Sequence, residues 1–237
     1  MLSRSKDPLG HAIYDYYHNK TLSKLKVECS ISEDDEIPVD YLFREYDEFP
    51  SLEQIAIKHC KGRILDVGVG AGCHSLFLKS QGYDVLGIDI SELAVEVCVE
   101  RGLEAKAVSI YNMGDSNFDT LLLLMNGLGI VGDFDGLDKF FRKSKSILNP
   151  GGQILLESSD IKYMFEDEDG SFLLPFGERF YGELEYRMIY NEIEGEAFRW
   201  LYLPYELLEE HASKHGLKVE LLFEDDSYAY LARITLL

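Results

Sequence analysis

The sequence predicts an α/β protein built on a doubly wound parallel sheet, and three observations support that prediction. From Arg63 onward, short β-rich apolar runs alternate with helical stretches, which is typical of parallel strands joined by right-handed helical crossovers. A glycine-rich segment, 68–72, joins the first of these strands to the next helix. Polar candidate residues stand where predicted strands end, and ligands of open α/β sheets bind at that edge.

The composition is that of a globular chain with a strongly acidic surface. Its 237 residues fit one large domain, or one domain with an insertion. A net charge of −20 repels phosphate backbones, so we expect no nucleic-acid partner. Four cysteines without a C-x-x-C pair predict neither a metal site nor a disulfide framework. We find no signal peptide and no apolar run long enough for a membrane, so the expected location is the cytoplasm.

The core, residues 61–160, is predicted as five parallel strands separated by helices. The predicted strands cover 64–68, 84–90, 104–110, 118–125 and 153–158. The run 118–125 is almost wholly apolar, as expected of a strand that is buried on both faces. Helices are predicted over 73–81, from Ser91 to Arg101, and over 134–148.

The alternation changes after Asp160, where we predict an insertion over 161–203. It begins with an acidic turn at 166–170, and two later runs, 184–190 and 197–203, flank Gly195 and predict an antiparallel pair. Residues 204–237 are predicted as a last helix and a hairpin that ends the sheet.

Residues 1–60 are predicted as a helical N-terminal extension that caps the site. One helix is expected over 8–20, and a second over 51–60 with Ser51 as its N-cap. The acidic run 33–36, followed by Ile37-Pro38, predicts a loop between them.

The segment Asp66-Val67-Gly68-Val69-Gly70-Ala71-Gly72 is the most informative stretch of the chain. It lies between a strand and a helix, where backbone N–H groups can face a bound ligand. Glycine suits such a loop because a side chain would block the ligand or require a positive φ. Asp89 ends the next predicted strand, and a carboxylate there suits the hydroxyl groups of a ribose.

The spacing of the glycines argues against a dinucleotide. The dinucleotide pattern requires a third small residue five positions after the first glycine, and Cys73 occupies that position. Asp66 would add a negative charge near a pyrophosphate that is already negative. An acid at that position suits a ligand that carries an ammonium group.

Together these segments resemble class I S-adenosylmethionine-dependent methyltransferases. The resemblance covers residues 63–160 and the terminal hairpin, and rests on 66–72, Asp89, the end of the fourth strand at 121–127, and the turn at 148–152. It implies a Rossmann-like seven-stranded sheet of order 3-2-1-4-5-7-6 with strand seven antiparallel. It also implies S-adenosyl-L-methionine as cofactor and S-adenosyl-L-homocysteine as product.

The resemblance implies a set of residues that bind the cofactor at the ends of the strands. They are Asp66, Gly68, Gly70, Gly72, Asp89, Ile90, Ser109, Ile110, Met125 and Asn126. The chain departs from the family at Ser109, where many members carry an aspartate that meets the adenine. The ending Met125-Asn126-Gly127 differs from the Asp/Asn-Pro-Pro-Tyr of enzymes that methylate nucleic-acid bases.

Two residues of the extension are expected to complete the cofactor site. Tyr41 offers apolar cover, and Arg44 offers a fork-shaped cation for the cofactor's carboxylate. The alternative is that Arg44 pairs with Asp40 or Glu45 on the surface.

The sequence leaves the catalytic group open. A sulfonium methyl is already activated, so an enzyme can act mainly by alignment and by excluding water. The candidates are His74, Asn126 and Asp160. The alternative for His74 is a first-turn polar residue, and for Asp160 and the neighbouring Glu157 a solvated position.

The expected function is methyl transfer to a small molecule by direct in-line displacement, in a monomer or homodimer. The alternatives are a NAD-dependent oxidoreductase, an aminopropyl transferase and a non-catalytic protein that binds S-adenosylmethionine. We expect the aromatic-rich insertion to form one wall of the substrate pocket, the alternative being a dimer interface. The aromatic residues concerned are Phe172, Phe176, Phe180, Tyr181, Tyr186, Tyr190, Trp200 and Tyr202.

Overall fold

The computed structural model describes residues 2–20, 24–114, 116–167, 171–172 and 179–236. Phe176 and part of the turn predicted at 166–170 lie outside these residues. Among the described residues, no helix has both the length and the apolar character needed to cross a membrane.

Strands and helices are numbered in chain order. The strands are β1 (Leu25–Cys29), β2 (Asp35–Ile37), β3 (Arg63–Val67), β4 (Asp84–Asp89), β5 (Glu104–Ala107), β6 (Phe118–Leu123), β7 (Leu148–Ser159), β8 (Glu183–Tyr190), β9 (Ile193–Glu194), β10 (Phe198–Leu201), β11 (Leu217–Glu224) and β12 (Ala229–Leu236). The α-helices are α1 (Pro8–Tyr17), α2 (Ser51–His59), α3 (Cys73–Ser80), α4 (Glu92–Glu100), α5 (Phe134–Ile147) and α6 (Tyr205–Lys214).

Seven strands form the central sheet in the order β5-β4-β3-β6-β7-β12-β11. The strands from β5 to β7 are parallel, whereas β12 runs antiparallel to both β7 and β11. In order of appearance this is 3-2-1-4-5-7-6, so the predicted topology is confirmed. The direction of winding reverses between β3 and β6, and such a switch point opens a crevice for ligands at the carboxyl ends of the strands.

The core lies on both faces of the central sheet, as the apolar run in β6 predicts. Leu121 and Leu123 pack into the larger cluster with Phe140 of α5. Leu122 packs into the opposite cluster with Leu52 of α2. Burial of a strand on both faces accounts for the lack of polar alternation in β6.

A second, antiparallel sheet joins the N-terminal extension to the insertion. Its order is β10-β8-β1-β2, with β9 paired to β8, and its register places Leu25 opposite Tyr190. The antiparallel pair predicted in the insertion is therefore present as β8 and β10. Both helices predicted in the N-terminal extension are present, but the extension also contains β1 and β2, which were not predicted. Local periodicity missed β1, since a five-residue strand is stabilised by partners far along the chain.

Helix α1 packs on β8 of the second sheet and on α4, which follows β4. The Asp7 carboxylate accepts the Gly10 N–H at 2.8 Å and the Ser91 hydroxyl at 2.5 Å. Ser91 in turn accepts the Ala94 N–H and caps α4, as predicted. At α2, by contrast, Pro50 is the N-cap and Ser51 is the first helical residue, without a side-chain cap.

Candidate functional site

The glycine loop between β3 and α3 presents its backbone to open space. Gly68, Gly70 and Gly72 all have positive φ, of 80°, 53° and 87°. A methyl group at Gly68 would have no neighbour within 4 Å, and at Gly70 it would just reach the Gly68 carbonyl. At Gly72 it would meet Leu103 and Cys98 instead. Gly68 and Gly70 therefore leave room for a ligand, whereas Gly72 allows Leu103 and Cys98 to pack closely against the loop.

Asp89 stands at the end of β4 and faces this loop. Its Oδ2 accepts the Gly70 N–H at 3.1 Å, and its Oδ1 accepts the Ser91 N–H at 2.9 Å. Burial raises the pKa of Asp89, and these amide donors act in the opposite direction. Each carboxylate oxygen keeps a lone pair for another donor. The carboxylate is thus oriented by the protein and still able to accept hydrogen bonds from a ligand.

Asp66 lies beneath the loop. It is buried, and its Oδ2 accepts the Ser75 hydroxyl at 2.6 Å. Burial raises its pKa. Its hydrogen bond to Ser75 links the end of β3 to helix α3, the two elements that the loop connects.

The ends of β4 and β5 meet beside Asp89. The Val108 N–H donates to the Asp89 carbonyl at 2.8 Å. Ser109 lies two residues beyond β5, because that strand ends at Ala107 rather than at Ile110. Ser109 caps the short 3₁₀ turn Ile110–Asn112 and is partly buried. Ile90 is 48% exposed and offers an apolar surface on the same edge.

The chain leaves β6 in a strained conformation. Met125 and Asn126 are consecutive non-glycine residues with positive φ, 58° and 54°. Two side chains of β7 hold them in place. The Met125 N–H donates to Glu157 Oε2 at 2.7 Å, and the Ser159 hydroxyl donates to Asn126 Oδ1 at 2.7 Å. Such strain persists only where the surroundings impose it, and it concentrates at functional sites.

Arg44 is buried and does not pair with Asp40 or Glu45, so that alternative was wrong. Its guanidinium forms an ion pair with Glu53 of α2 and donates to the Tyr41 carbonyl at 2.5 Å. The guanidinium carbon lies 3.8 Å from the centre of the Tyr41 ring. Its Nε is buried without a hydrogen-bond partner among the described residues. Arg44 is therefore held firmly while one of its donors stays free.

Glu53 also bonds to His74, at 2.6 Å between Oε2 and Nε2. Burial lowers the pKa of His74, but its contacts with Cys73 and Glu53 outweigh that effect and raise it to about 10. Glu53 has a lowered pKa despite its burial, because His74 and Arg44 stabilise its charge. His74 therefore keeps its proton at neutral pH. It acts as a buried cation that joins α3 to α2, and not as a proton acceptor.

A cavity of about 320 Å³ adjoins this buried group. Its lining includes Tyr41, Leu52, Glu53, Met125, Asn126 and Glu157. Glu157 is partly buried, and desolvation raises its pKa to about 7. Asp225 also lines the cavity, but its Oδ1 accepts the N–H groups of Ser227 and Ala229 in the β11–β12 turn.

Asp160 lies at the same edge, but its carboxylate already has partners. Its Oδ1 accepts the Tyr181 hydroxyl at 2.7 Å and the Lys162 N–H at 2.9 Å. Lys162 Nζ lies 3.2 Å from the other oxygen. Asp160 therefore anchors two residues of the insertion, Lys162 and Tyr181.

Aromatic residues of the insertion pack beside the strained turn. Trp200 packs on the 3₁₀ turn Gly127–Val131, where a methyl group on Gly129 would overlap its indole. The hydroxyls of Tyr186 and Tyr202 lie 3.2 Å apart. Desolvation raises the pKa of Tyr202, and the Glu157 carboxylate contributes to that rise.

Sequence reasoning found the loop, Asp89 and the end of β6 but missed the role of Glu53. A glutamate in the first turn of a helix is ordinarily read as a solvated residue that complements the helix dipole. Nothing in the local pattern indicates that Arg44 and His74 converge on it.

Comparison with known proteins gives consistent matches. Residues 64–152 match the family described as a methyltransferase domain. A crystal structure of a SAM-dependent methyltransferase from Bacteroides fragilis, in complex with S-adenosyl-L-homocysteine, is 45% identical with a TM-score of 0.93. That alignment covers 100% of this chain and 97% of the other.

Two more distant matches point the same way. The CcbJ methyltransferase of Streptomyces caelestis has a TM-score of 0.61 at 17% identity, over 81% of this chain and 94% of its own, and so shares the fold. YqeM of Bacillus subtilis (strain 168), provisionally named a methyltransferase, is 23% identical over 74% of this chain and 75% of its own.

Proposed function

Because this chain belongs to the S-adenosylmethionine-dependent methyltransferases, we propose that it transfers the methyl group to a small-molecule acceptor by direct in-line displacement. S-adenosylmethionine is the cofactor, and membership of the family decides against a NAD-dependent oxidoreductase. When bound, the cofactor supplies an electrophilic methyl group whose C–S bond breaks with its electron pair left on sulfur. The residues of this chain have to bind, align and shield the reactants.

The chain's own residues fit this cofactor. The open face at Gly68 and Gly70 admits a ligand close to the backbone. Asp89 would accept hydrogen bonds from the ribose hydroxyls, while Ile90, Ser109 and Ile110 would line the adenine. Asp66 and Gly72 would keep the loop in shape through their contacts with α3, Leu103 and Cys98.

The methionine end of the cofactor would lie toward the Met125–Asn126 turn and the N-terminal extension. Tyr41 is 40% exposed and lines the cavity there. Arg44 Nε has no hydrogen-bond partner among the described residues, and it would be the donor for the cofactor's carboxylate. Because a buried N–H without a partner is costly, a ligand that accepts from it gains affinity.

The single observation that supports a small-molecule acceptor is the cavity beside the strained turn. Its volume of about 320 Å³ lies at the lower end of the range for small-molecule pockets, roughly 300–1,000 Å³. Trp200 of the insertion packs on the 3₁₀ turn Gly127–Val131, which directly follows the cavity residue Asn126. This contact supports the proposal that the insertion forms one wall. The net charge of −20 also disfavours a nucleic-acid acceptor.

Calorimetry with S-adenosylmethionine, S-adenosylhomocysteine and NAD tests the cofactor site. We predict that Asp89→Ala weakens both adenosyl ligands by about 2–4 kcal/mol, since two charge-assisted hydrogen bonds are lost. Asp84→Asn, at the exposed start of the same strand, is the matched control and should bind as the wild type does. Equal affinity in Asp89→Ala and wild type would remove the ribose assignment.

The acceptor class is tested separately by turnover. Methylated products from a panel of metabolites are expected, detected by mass. Tight, salt-sensitive binding of tRNA or DNA at physiological ionic strength would overturn the small-molecule proposal. Cofactor binding without turnover of any acceptor would favour the non-catalytic alternative.

A further inference from the structure

We infer that the acceptor carries a basic amine, which Glu157 binds as an ammonium ion and deprotonates before methyl transfer. This inference rests on the proposed function, because it names the acceptor for the same cavity. Its starting point is Glu157, a carboxylate in the cavity wall that forms no ion pair with any described residue.

Glu157 is held in place by backbone N–H groups, and no cationic side chain of the described residues pairs with it. Its Oε2 accepts the Met125 N–H at 2.7 Å, which fixes the carboxylate at the strained turn. The backbone of Asn126 also donates to this carboxylate. Among the described residues, no lysine, arginine or histidine forms an ion pair with Glu157. A partly buried carboxylate without a counter-charge is unfavourable unless a ligand supplies one.

The other charges around the cavity are already paired. Glu53 forms ion pairs with both Arg44 and His74. Asp225 is taken up by the β11–β12 turn. Tyr41 adds an aromatic ring to the lining, and ring faces attract ammonium groups. An acceptor that is a carboxylate, a phosphate or a phenolate would meet only carboxylates on this wall, whereas an amine matches it.

The chemistry balances with Glu157 as the proton acceptor. An ammonium acceptor gives one N–H proton to the Glu157 carboxylate and thereby regains its nitrogen lone pair. That pair forms the new C–N bond, the C–S bond breaks, and its electrons remain on sulfur. A carboxylate of raised pKa is better matched to this proton than an ordinary one, and burial of Glu157 raises its pKa.

The test uses the full chain saturated with S-adenosylhomocysteine, whose affinity is measured first. If that ligand does not bind, the proposed function fails before the amine is in question. The probes are matched trios on the same skeletons, namely benzylamine, benzyl alcohol and benzoic acid, with their phenethyl and cyclohexylmethyl counterparts. Binding is followed by ligand-observed NMR, so that no turnover is needed.

We expect the amines to bind preferentially and Glu157→Gln to weaken them about ten- to hundredfold, because a hydrogen bond to a charged group is lost. Glutamine can still accept from Met125, so affinity for S-adenosylhomocysteine should not change and reports that the site remains folded. Glu209→Gln, on the exposed side of α6, is the control and should bind the amines as the wild type does.

Two results would overturn the inference. One is the absence of any preference for amines over the matched alcohols and acids, including no binding of any amine. The other is a Glu157→Gln variant that binds S-adenosylmethionine more weakly while keeping its affinity for S-adenosylhomocysteine and for the amines. In that case the carboxylate faces the cofactor's sulfonium rather than an acceptor.

Discussion

Arg44 shows how one buried side chain can serve both the fold and a ligand. Its ion pair with Glu53 and its contacts with Tyr41 fix the guanidinium, and Nε keeps a free N–H. We predict that Arg44→Ala weakens S-adenosylmethionine by about 1.5–3 kcal/mol, the usual worth of a hydrogen bond to a charged group. A decarboxylated analogue should be affected far less, and calorimetry compares the two.

The control for this prediction is Arg4→Ala, which removes an exposed arginine that pairs with Glu96 and Glu92. It should leave both affinities unchanged. Losses of equal size for the two ligands in Arg44→Ala would show that the guanidinium does not contact the carboxylate.

Because of His74, we expect the stability of the protein to decrease as the pH becomes alkaline. Its pKa rises from an ordinary value of 6.5 to about 10 in the folded chain. The stabilisation is therefore fully present below pH 6.5 and is lost as the pH rises to about 10. We predict that the free energy of unfolding, from urea titrations, falls more steeply over this window in the wild type than in His74→Gln.

His59→Gln replaces an exposed histidine at the end of α2 and serves as the control. Its pH profile should parallel that of the wild type, because groups that titrate elsewhere are shared by both proteins. If His74→Gln also parallels the wild type, the imidazolium does not stabilise the fold.

At the scale of elements, the contact between β10 and the turn that follows β6 couples the insertion to the site. Gly129 lies against the Trp200 indole with no room for a methyl group. We predict that Gly129→Ala costs about 1–3 kcal/mol of stability, because overpacking displaces a large side chain. Equilibrium unfolding in urea measures the loss.

Gly114→Ala is the control for Gly129→Ala, because a methyl group at Gly114 would meet no atom within 4 Å. It should change stability by no more than about 0.5 kcal/mol. An equally small effect in Gly129→Ala would mean that Trp200 moves aside freely and that the insertion is not anchored at this point.

The elements of the central sheet were predictable because each carries its own local pattern. The apolar β6, the glycines of the loop and the cap at Ser91 all follow from short-range chemistry. The predicted end of β5 was three residues too late, since Ser109 is still extended although it lies beyond the last paired residue, Ala107. Asp89 could be placed at the carboxyl edge of the sheet because it ends a predicted strand.

What could not be predicted depends on contacts between distant segments. β1 pairs with β8, which lies far along the chain, and β2 pairs in turn with β1. The buried group of Arg44, Glu53 and His74 draws on a loop and two helices. No window of sequence contains these pairings, so period and propensity carry no signal for them.

At the scale of the whole molecule, the second sheet should open as one unit, apart from the central sheet. It contains short strands with several exposed or partly buried positions, whereas β6 is buried at all but one of its positions. We predict that amides of β1 and β8 exchange with deuterium at a common rate and faster than those of β6. Mass spectrometry of peptides from both segments measures this.

Amides of α6 provide the internal comparison, because that helix packs on β11 rather than on the second sheet. Exchange in β1 that is more than about tenfold faster than in β8 would show that the two strands open separately. The sheet would then not act as a single element.

The pairing of Leu25 with Tyr190 also constrains how the protein is made. A ribosome adds roughly 5–20 residues per second, so β1 emerges on the order of 10–30 s before β8. During that delay the edge of β1 that later meets β8 is unpaired, and another nascent chain could join it. Three residues separate the end of β1 from the acidic run Glu33-Asp34-Asp35-Glu36. Repulsion between identical acidic segments on neighbouring polysomes would keep β1 available for its own partner until synthesis reaches it.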